Sequence, residues 1–432
     1  MPNTVREEME DRHLGRRQFM RRSVAGVALA GSSGAALGAD SGARPRRAGK
    51  REGTVRTEAD VLVVGGGTAG TIAAIQAARA GAKTALVERG TQLGGTTTTG
   101  GVSFPGLFDA WGKQIIAGIG WELVKRAVEL DNGTLPDFSQ VPARHWQNQV
   151  HINQFVYALL AEEACVEAGV TVAYYESPLS VEQTVDGWLV DTVGPGTYRR
   201  VTCQQIIDCT GGASVVGMLG LPRLRDSETQ PGSLLYKLGG VHPVGRGQLE
   251  QLYVHGADSS TSVTLTEANL DGRRLLLKKL RGQKDTSRLV HMQPETAHRE
   301  TYRIRGETVI TVEDYTSGRV FDDAVCYAFY PVDLHTPSGV KPKPLARGTV
   351  PTIGLRALVP KGSRDIMVAG RCVSSDRLAN SGLRVQASCM AMGQAAGAAA
   401  ALAAQRKTTP IEVPLEDIRE LLRHHGAIVP SA

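Results

Sequence analysis

One stretch limits what this chain can become more than any other: Asp60-Val61-Leu62-Val63-Val64-Gly65-Gly66-Gly67-Thr68-Ala69-Gly70. An apolar run of buried-strand length meets glycines at 65, 67 and 70, and Thr71 to Ala80 follows as an alanine-rich helix. In such a unit Gly65 permits the tight turn, Gly67 lets the backbone approach a pyrophosphate, and Gly70 lets helix and strand pack closely. The free N–H groups at the helix start, beside Thr68 and Ala69, face the phosphates, and the helix dipole favours their charge. Thr84 to Val87 reads as a second strand, followed by Glu88 and Arg89. Glu88, eighteen residues past Gly70, is placed to accept hydrogen bonds from a ribose diol. A glycine pattern alone is weak. With strand, helix and acid in register it defines a dinucleotide site in an α/β fold.

The 432 residues are enough for two domains with a large core. A net charge of +6 invites a nucleic-acid reading, but residues 1–56 hold twelve Lys/Arg against six Asp/Glu, which accounts for the whole excess. The rest of the chain is neutral, so no basic face and no nucleic-acid partner are expected. The six cysteines show no C-x-x-C and no His/Cys ligand spacing, so no metal site is expected. Cys209 and Cys389 stand in apolar runs and read as small core residues. No disulfide framework is visible, although exported proteins can form one.

The leader explains the basic excess. Arg16-Arg17-Gln18-Phe19-Met20-Arg21 precedes an uncharged stretch, Val24 to Leu37, rich in Ala, Gly and Val. A twin arginine, a mild apolar region and small residues near Ala39 resemble a twin-arginine export signal. That apolar region is too short and glycine-rich for a membrane span. Since this route carries folded proteins, a cofactor would be taken up before export, and the twin-arginine machinery becomes an expected partner. The expected division is a signal over 1–39 and a linker over 40–57, where Pro45 and several Arg give no fold of their own.

Beyond Glu88, Gly90 to Gly101 contains Leu93-Gly94-Gly95-Thr96 and four further threonines, with little propensity for helix or strand. Helices are expected over Gly118–Val128 and Gln154–Ala168, the latter stopped by Gly169. Strands follow at Val170–Tyr175, Trp188–Val193 and Tyr198–Val201, the last two paired across a Gly-Pro-Gly turn. Ile206-Ile207-Asp208-Cys209 then ends in Thr210-Gly211-Gly212, which delivers bare backbone at the carboxyl edge of a sheet. Residues 221–350 are more polar, with a helix expected around Leu270–Leu280, and read as a second domain inserted into the first. The nucleotide-domain pattern returns at Ile366-Met367-Val368-Ala369-Gly370-Arg371. From Val385 to Ala404 no charge occurs, so a membrane span competes with a buried helix; the small residues favour tight packing inside the protein. Such a helix aims its N-terminus, near Gln386 and Ala387, at a ligand. A short helix is expected within Ile411–Ile428.

Taken together, Val64 to Gly70 with Glu88, Leu93 to Gly101, Ile207 to Gly212 and Ile366 to Gly397 resemble the FAD-dependent oxidoreductase family. These are two-dinucleotide-binding-motif flavoproteins, related to the fumarate-reductase-type fold. Arg299 to Ile304 and Tyr330 to His335 resemble segments of that family's substrate domain. The resemblance implies an FAD/NAD(P)-binding Rossmann-like domain (58–220 and 351–405) with an inserted α+β substrate domain (221–350) and a C-terminal helix and tail (406–432). It places Gly65 to Gly70 on the pyrophosphate, Glu88 on the adenosine ribose, and the helix start near Gln386 by the flavin's pyrimidine edge. Gly94, Gly95, Thr96, Thr210, Gly211, Gly370 and Arg371 complete the implied cofactor site. The family usually has an acid where this chain has Gly212. No histidine stands in Leu93 to Gly101, where some relatives attach flavin covalently, so non-covalent FAD is expected.

A flavin brings the hydride chemistry, leaving binding, orientation and electrostatics to the protein. His335 is the first candidate for substrate acid or base, because a histidine titrates near neutrality and here follows a Tyr-Pro-x-Asp turn. Glu300 and Arg303 are candidate substrate anchors, and Arg384 a candidate for holding an anionic substrate or the flavin edge. The expectation is an exported, periplasmic or extracytoplasmic FAD-dependent oxidoreductase acting on a small organic substrate, with an undefined electron acceptor. The alternatives are a flavin-carrying electron-transfer subunit and a plain NAD(P)-dependent dehydrogenase; the Gly370–Gly397 pattern argues against the latter.

Overall fold

A computed structural model describes residues 54–239, 248–282, 288–336, 339–340 and 342–431. The twin-arginine leader and nearly all of the linker lie outside them. The chain enters through β1 (Thr54–Glu58) and β2 (Val61–Val64), then α1 (Thr68–Arg79) and β3 (Thr84–Glu88). Next come α2 (Ile119–Leu130), α3 (Gln154–Glu167) and β4 (Thr171–Tyr174). A meander of β5 (Ser177–Thr184), β6 (Gly187–Gly194) and β7 (Thr197–Cys203) leads into β8 (Gln205–Asp208). The chain then leaves for β9 (Gly232–Gly239), β10 (Gln248–Val254), α4 (Ser262–Gly282) and β11 (Arg288–Met292). It returns through β12 (Ile366–Val368), α5 (Arg377–Leu383), α6 (Gln386–Arg406) and α7 (Leu415–His424).

The organising layer is a five-stranded sheet of order β12-β8-β2-β3-β4, parallel at every pairing. Every residue of β2 is buried, as a strand covered on both faces requires. Alternation divides its side chains between two cores. Val61 and Val63 pack with Ile72 of α1 and the alanines of α6, whereas Leu62 and Val64 face Trp188, Val190 and Val201 of the meander. The meander forms its own sheet, order β1-β7-β6-β5. Between β8 and β12, an antiparallel sheet of order β10-β9-β11 packs under α4 around Leu234, Tyr236, Val254 and Leu276.

The uncharged helix α6 belongs to the core: 89% of its apolar window is buried inside the protein. Its glycines explain how closely it lies against α1. A Cβ at Gly393 would stand 2.2 Å from the Ala69 carbonyl oxygen, and one at Gly397 would stand 2.4 Å from that of Ala73. Polar groups cross this helix interface fully bonded. Gln394 accepts from the Ile119 N–H and donates to Gln76 and to the His425 carbonyl. A lipid-facing helix has no use for such a network.

Element boundaries move where local chemistry intervenes. The expected helix at 270–280 begins at Ser262, because the Thr261 hydroxyl takes the Thr264 N–H at 3.1 Å. The C-terminal helix is confined between Pro414 and Gly426, shorter than the expected tract. Asn153 caps α3 by accepting from the Phe155 and Val156 amides. Within Gly90–Gly101 only a single 3₁₀ turn forms, at Gly95–Thr97.

Candidate active site

The carboxyl ends of β2, β3, β8 and β12 open onto one cavity of about 760 Å³, where ligands of open parallel sheets bind. Gly65 adopts φ +101°, and a Cβ there would meet the Cys209 carbonyl oxygen at 2.6 Å. At Gly70 a Cβ would stand 1.8 Å from the Gly65 carbonyl oxygen. Gly67 differs: nothing lies within 4 Å of its Cβ position, so its face opens onto the cavity. It precedes α1, whose N-terminus has neither a side-chain cap nor an acid in its first turn. That leaves fixed positive potential beside open space.

Glu88 lines this end and is already engaged. Its two carboxylate oxygens accept the Gly66 and Gly90 N–H groups, each at 2.6 Å. Burial raises its pKa, against the lowering effect of those two bonds. A carboxylate has about four acceptor positions, so two remain for a diol. Thus Glu88 shapes the turn as well as lining the cavity.

Thr68, Ala69, Arg89, Gly95, Thr96, Thr210, Gly211, Gly370, Arg371 and Gln386 also line the cavity. Gly70, Gly94 and Ala387 do not: Gly70 is a packing position, and the Ala387 N–H is taken by the Pro105 carbonyl at 2.8 Å. The Thr210 hydroxyl donates to buried Asp208 and accepts from the Ser214 amide, so Thr210 offers the cavity backbone rather than a hydroxyl. Gln386 pins the glycine-threonine turn to α6, accepting from Thr97 at 2.7 Å and donating to the Val102 carbonyl at 2.8 Å. Arg371 donates to the Gly211 and His298 carbonyls. Among the described residues it has no carboxylate partner, and burial lowers its pKa. A buried, unpaired cation on the wall suits an anionic ligand.

The far end gathers Gln149, Tyr253, Arg299, Tyr330, Asp333, His335 and Arg384. His335 Nε2 lies 3.1 Å from Asp333 Oδ2, its backbone N–H donates to Gln230, and its Nδ1 is buried without a partner. Burial is the main influence holding its pKa below 6.5; Asp333 works against that shift and the Arg299 and Arg384 charges add to it. Arg384 donates to Gln230 and to the Asp333 carbonyl, and its guanidinium stands 3.7 Å from the Asp333 carboxylate.

Glu300 and Arg303, expected as substrate anchors, stand away from the cavity. Glu300 is buried, pairing with Arg377 at 2.7 Å and accepting from Gln230, and Arg303 pairs with Asp226 at 2.6 Å. Both are tied to neighbouring segments. The cavity-facing residue is the neighbour, Arg299, which lines the wall together with Ala297 and His298. Spacing along the tract carried no signal for it, and Tyr253 and Gln149 come from distant segments and carried none either.

The six cysteines are buried and unpaired. Burial raises the thiols of Cys209 and Cys389, the two that line the cavity, Cys389 to about 12.

Fold and site define an α/β protein whose parallel sheet and glycine turn open onto one large cavity. The family model for FAD dependent oxidoreductases matches residues 60–275 and 253–422, and the chain belongs to that family. It is therefore a flavoprotein of the oxidoreductase class. Comparison with curated protein sequences gave no match. Among solved structures, the anhydrotetracycline hydroxylase OxyS from Streptomyces rimosus is similar at 14% identity and TM-score 0.46, over 86% of this chain and 66% of its own. A flavoprotein/dehydrogenase from Cytophaga hutchinsonii is similar at 16% identity and TM-score 0.42, over 85% of this chain and 83% of its own. A geranylgeranyl bacteriochlorophyll reductase-like protein from Thermoplasma acidophilum matches at 12% identity and TM-score 0.42, over 85% of this chain and 84% of its own. The chain spans 66% of the length of the hydroxylase.

Proposed function

We propose that the chain is an exported enzyme that oxidises or reduces a small organic substrate against non-covalently bound FAD, with His335 as acid or base. One observation carries the reading: a single cavity joins the Gly65–Gly70 cradle and Glu88 to His335 and Arg384. When bound there, FAD supplies hydride transfer. Gly67 and the start of α1 would hold the pyrophosphate and Glu88 the ribose diol, and the uncapped start of α6 would favour negative charge on the flavin. The un-ionised thiols on the wall and the absence of histidine from Leu93–Gly101 support non-covalent binding. The tract from β9 to β11, with the residues up to His335, acts as the substrate domain. The twin-arginine leader supports export of the folded holoprotein.

Within the compartment, Asp333 accepts from His335 Nε2–H and so fixes the tautomer with Nδ1 as the free base. Asp333 is held ionised despite its burial, by His335 and by the Arg384 and Arg299 cations. Purified protein should show flavin absorption bands that denaturation releases in soluble form. A colourless chain that binds NAD would refute the reading. Anaerobic bleaching by a panel of sugars, alcohols, amines and hydroxy or enoic acids would identify the reductant.

Two further results are expected. With Glu88→Gln, an NH₂ group would confront one of the two amides now bonded to the carboxylate. Stability should fall by about 1–3 kcal/mol, with reduced flavin content, read by thermal unfolding and by absorbance ratio. The pH profile follows from His335. Its pKa lies below 6.5, so the free base predominates at neutrality. Where it acts as base, the flavin reduction rate should be flat from pH 7 to 8 and fall only as pH drops through the lowered value. Asp333→Asn removes the influence that raises this pKa, so the acid limb should move further down, as stopped-flow reduction across pH would record.

A further inference from the structure

Arg299 is the least satisfied cation at the substrate end. Its guanidinium donates to the Pro231 carbonyl at 2.5 Å and lies 5.4 Å from the centre of the Tyr253 ring. Among the described residues no carboxylate pairs with it. Burial, and then the nearby Arg384 charge, bring its pKa down to about 10, so it stays cationic at neutrality. Arg384 reinforces it, with a buried Nε that has no partner. Among the described residues, the acid on this wall that faces both is Asp333, which is shared between Arg384 and His335. With His335 neutral, two guanidiniums face one carboxylate and the compartment carries one uncompensated positive charge.

A buried charge without its own counter-ion is costly, and among the described residues Asp333 is shared while no carboxylate pairs with Arg299. We infer that Arg299, assisted by the free Nε of Arg384, is the anchor for an anionic group on the substrate, most simply a carboxylate, whose remaining atoms lie toward His335 between Tyr253 and Tyr330. A planar guanidinium suits a carboxylate in two-point contact, and the aromatic walls suit an apolar body. Arg299 is thereby a substrate-binding residue that sets specificity for acids over their neutral counterparts. The inference rests on the flavoprotein reading above.

The test uses oxidised holoenzyme and follows the flavin absorption band while benzoate, succinate, or their amides benzamide and succinamide are added. At least one carboxylate should give a saturable shift, and its amide should bind about 30-fold or more weakly, as expected when a buried charge loses its partner. Arg299→Gln should retain flavin and lose carboxylate binding by a similar factor, and Arg299→Lys should recover part of it. Should Arg299→Gln fail to fold, the acid–amide comparison on the unaltered protein decides alone. Equal binding of acid and amide, no shift with any of the four, or undiminished binding in Arg299→Gln would overturn the inference while leaving the flavin spectrum, and hence the flavoprotein reading, intact. Absence of flavin from the unaltered protein would instead defeat the underlying reading.

Discussion

Replacing His335 with alanine should slow anaerobic reduction of the bound flavin by substrate about 10²- to 10⁴-fold while leaving the flavin in place, the range a positioned acid or base contributes. His335 is held at three points. Asp333 takes Nε2, Gln230 takes the backbone N–H, and the Tyr253 ring centre lies 5.6 Å away. Nδ1 alone lacks a partner. None of these contacts involves the glycine cradle or Glu88, so cofactor binding should survive the substitution. The backbone bond to Gln230 also survives, which limits the structural damage. Stopped-flow absorbance under anaerobic conditions gives the rate, and the spectrum of the same sample gives flavin content. An unchanged rate with flavin bound would remove His335 from the chemistry, and joint loss of flavin and rate would make it a structural residue.

A second large effect is expected at the cofactor end. Gly70→Val should yield protein with little or no FAD and lower thermal stability. A Cβ at this position falls 1.8 Å from the Gly65 carbonyl oxygen and 2.9 Å from the Cys209 side chain. Backbone cannot swing aside as a flexible side chain could. Either α1 moves away from β2 or the turn at Gly65 opens, and both displace the amides at the cavity end of α1. Overpacking in a close-packed interior costs about 1–3 kcal/mol, more where backbone must move. Gly67→Ala is the control, since open space surrounds its Cβ position. It should fold with near-normal stability and lose flavin affinity alone, because the added methyl occupies the ligand's approach. Thermal unfolding together with flavin content separates the two outcomes; equal behaviour of both variants would contradict the assigned roles.

Gly65, Gly67 and Gly70 were assignable because strand, turn and helix are contiguous, so spacing in sequence is spacing in space. Helix α6 was recognisable as interior because its uncharged run is rich in small residues, and Gly393 and Gly397 are where it meets α1. Ala387 and Gly94 do not themselves line the cavity, though their neighbours do, and Glu300 and Arg303 stand away from it. Charged residues in a polar tract look alike until their partners are known, and Arg377 and Asp226 lie 77 residues away in each case.

The amino-acid sequence by itself determined the parallel sheet, the tight glycine turn at Gly65–Gly70 beside Glu88, and the buried character of α6. Each follows from periodicity or steric need within a short span of chain. Only the tertiary structure decided that Glu88 braces the turn it faces, that Arg299 rather than Glu300 reaches the cavity, and that His335, Asp333 and Arg384 share one wall with Arg299. Those assignments depend on which distant segments supply counter-charges. A charge is satisfied in three dimensions, and its partner's position leaves no trace in local spacing.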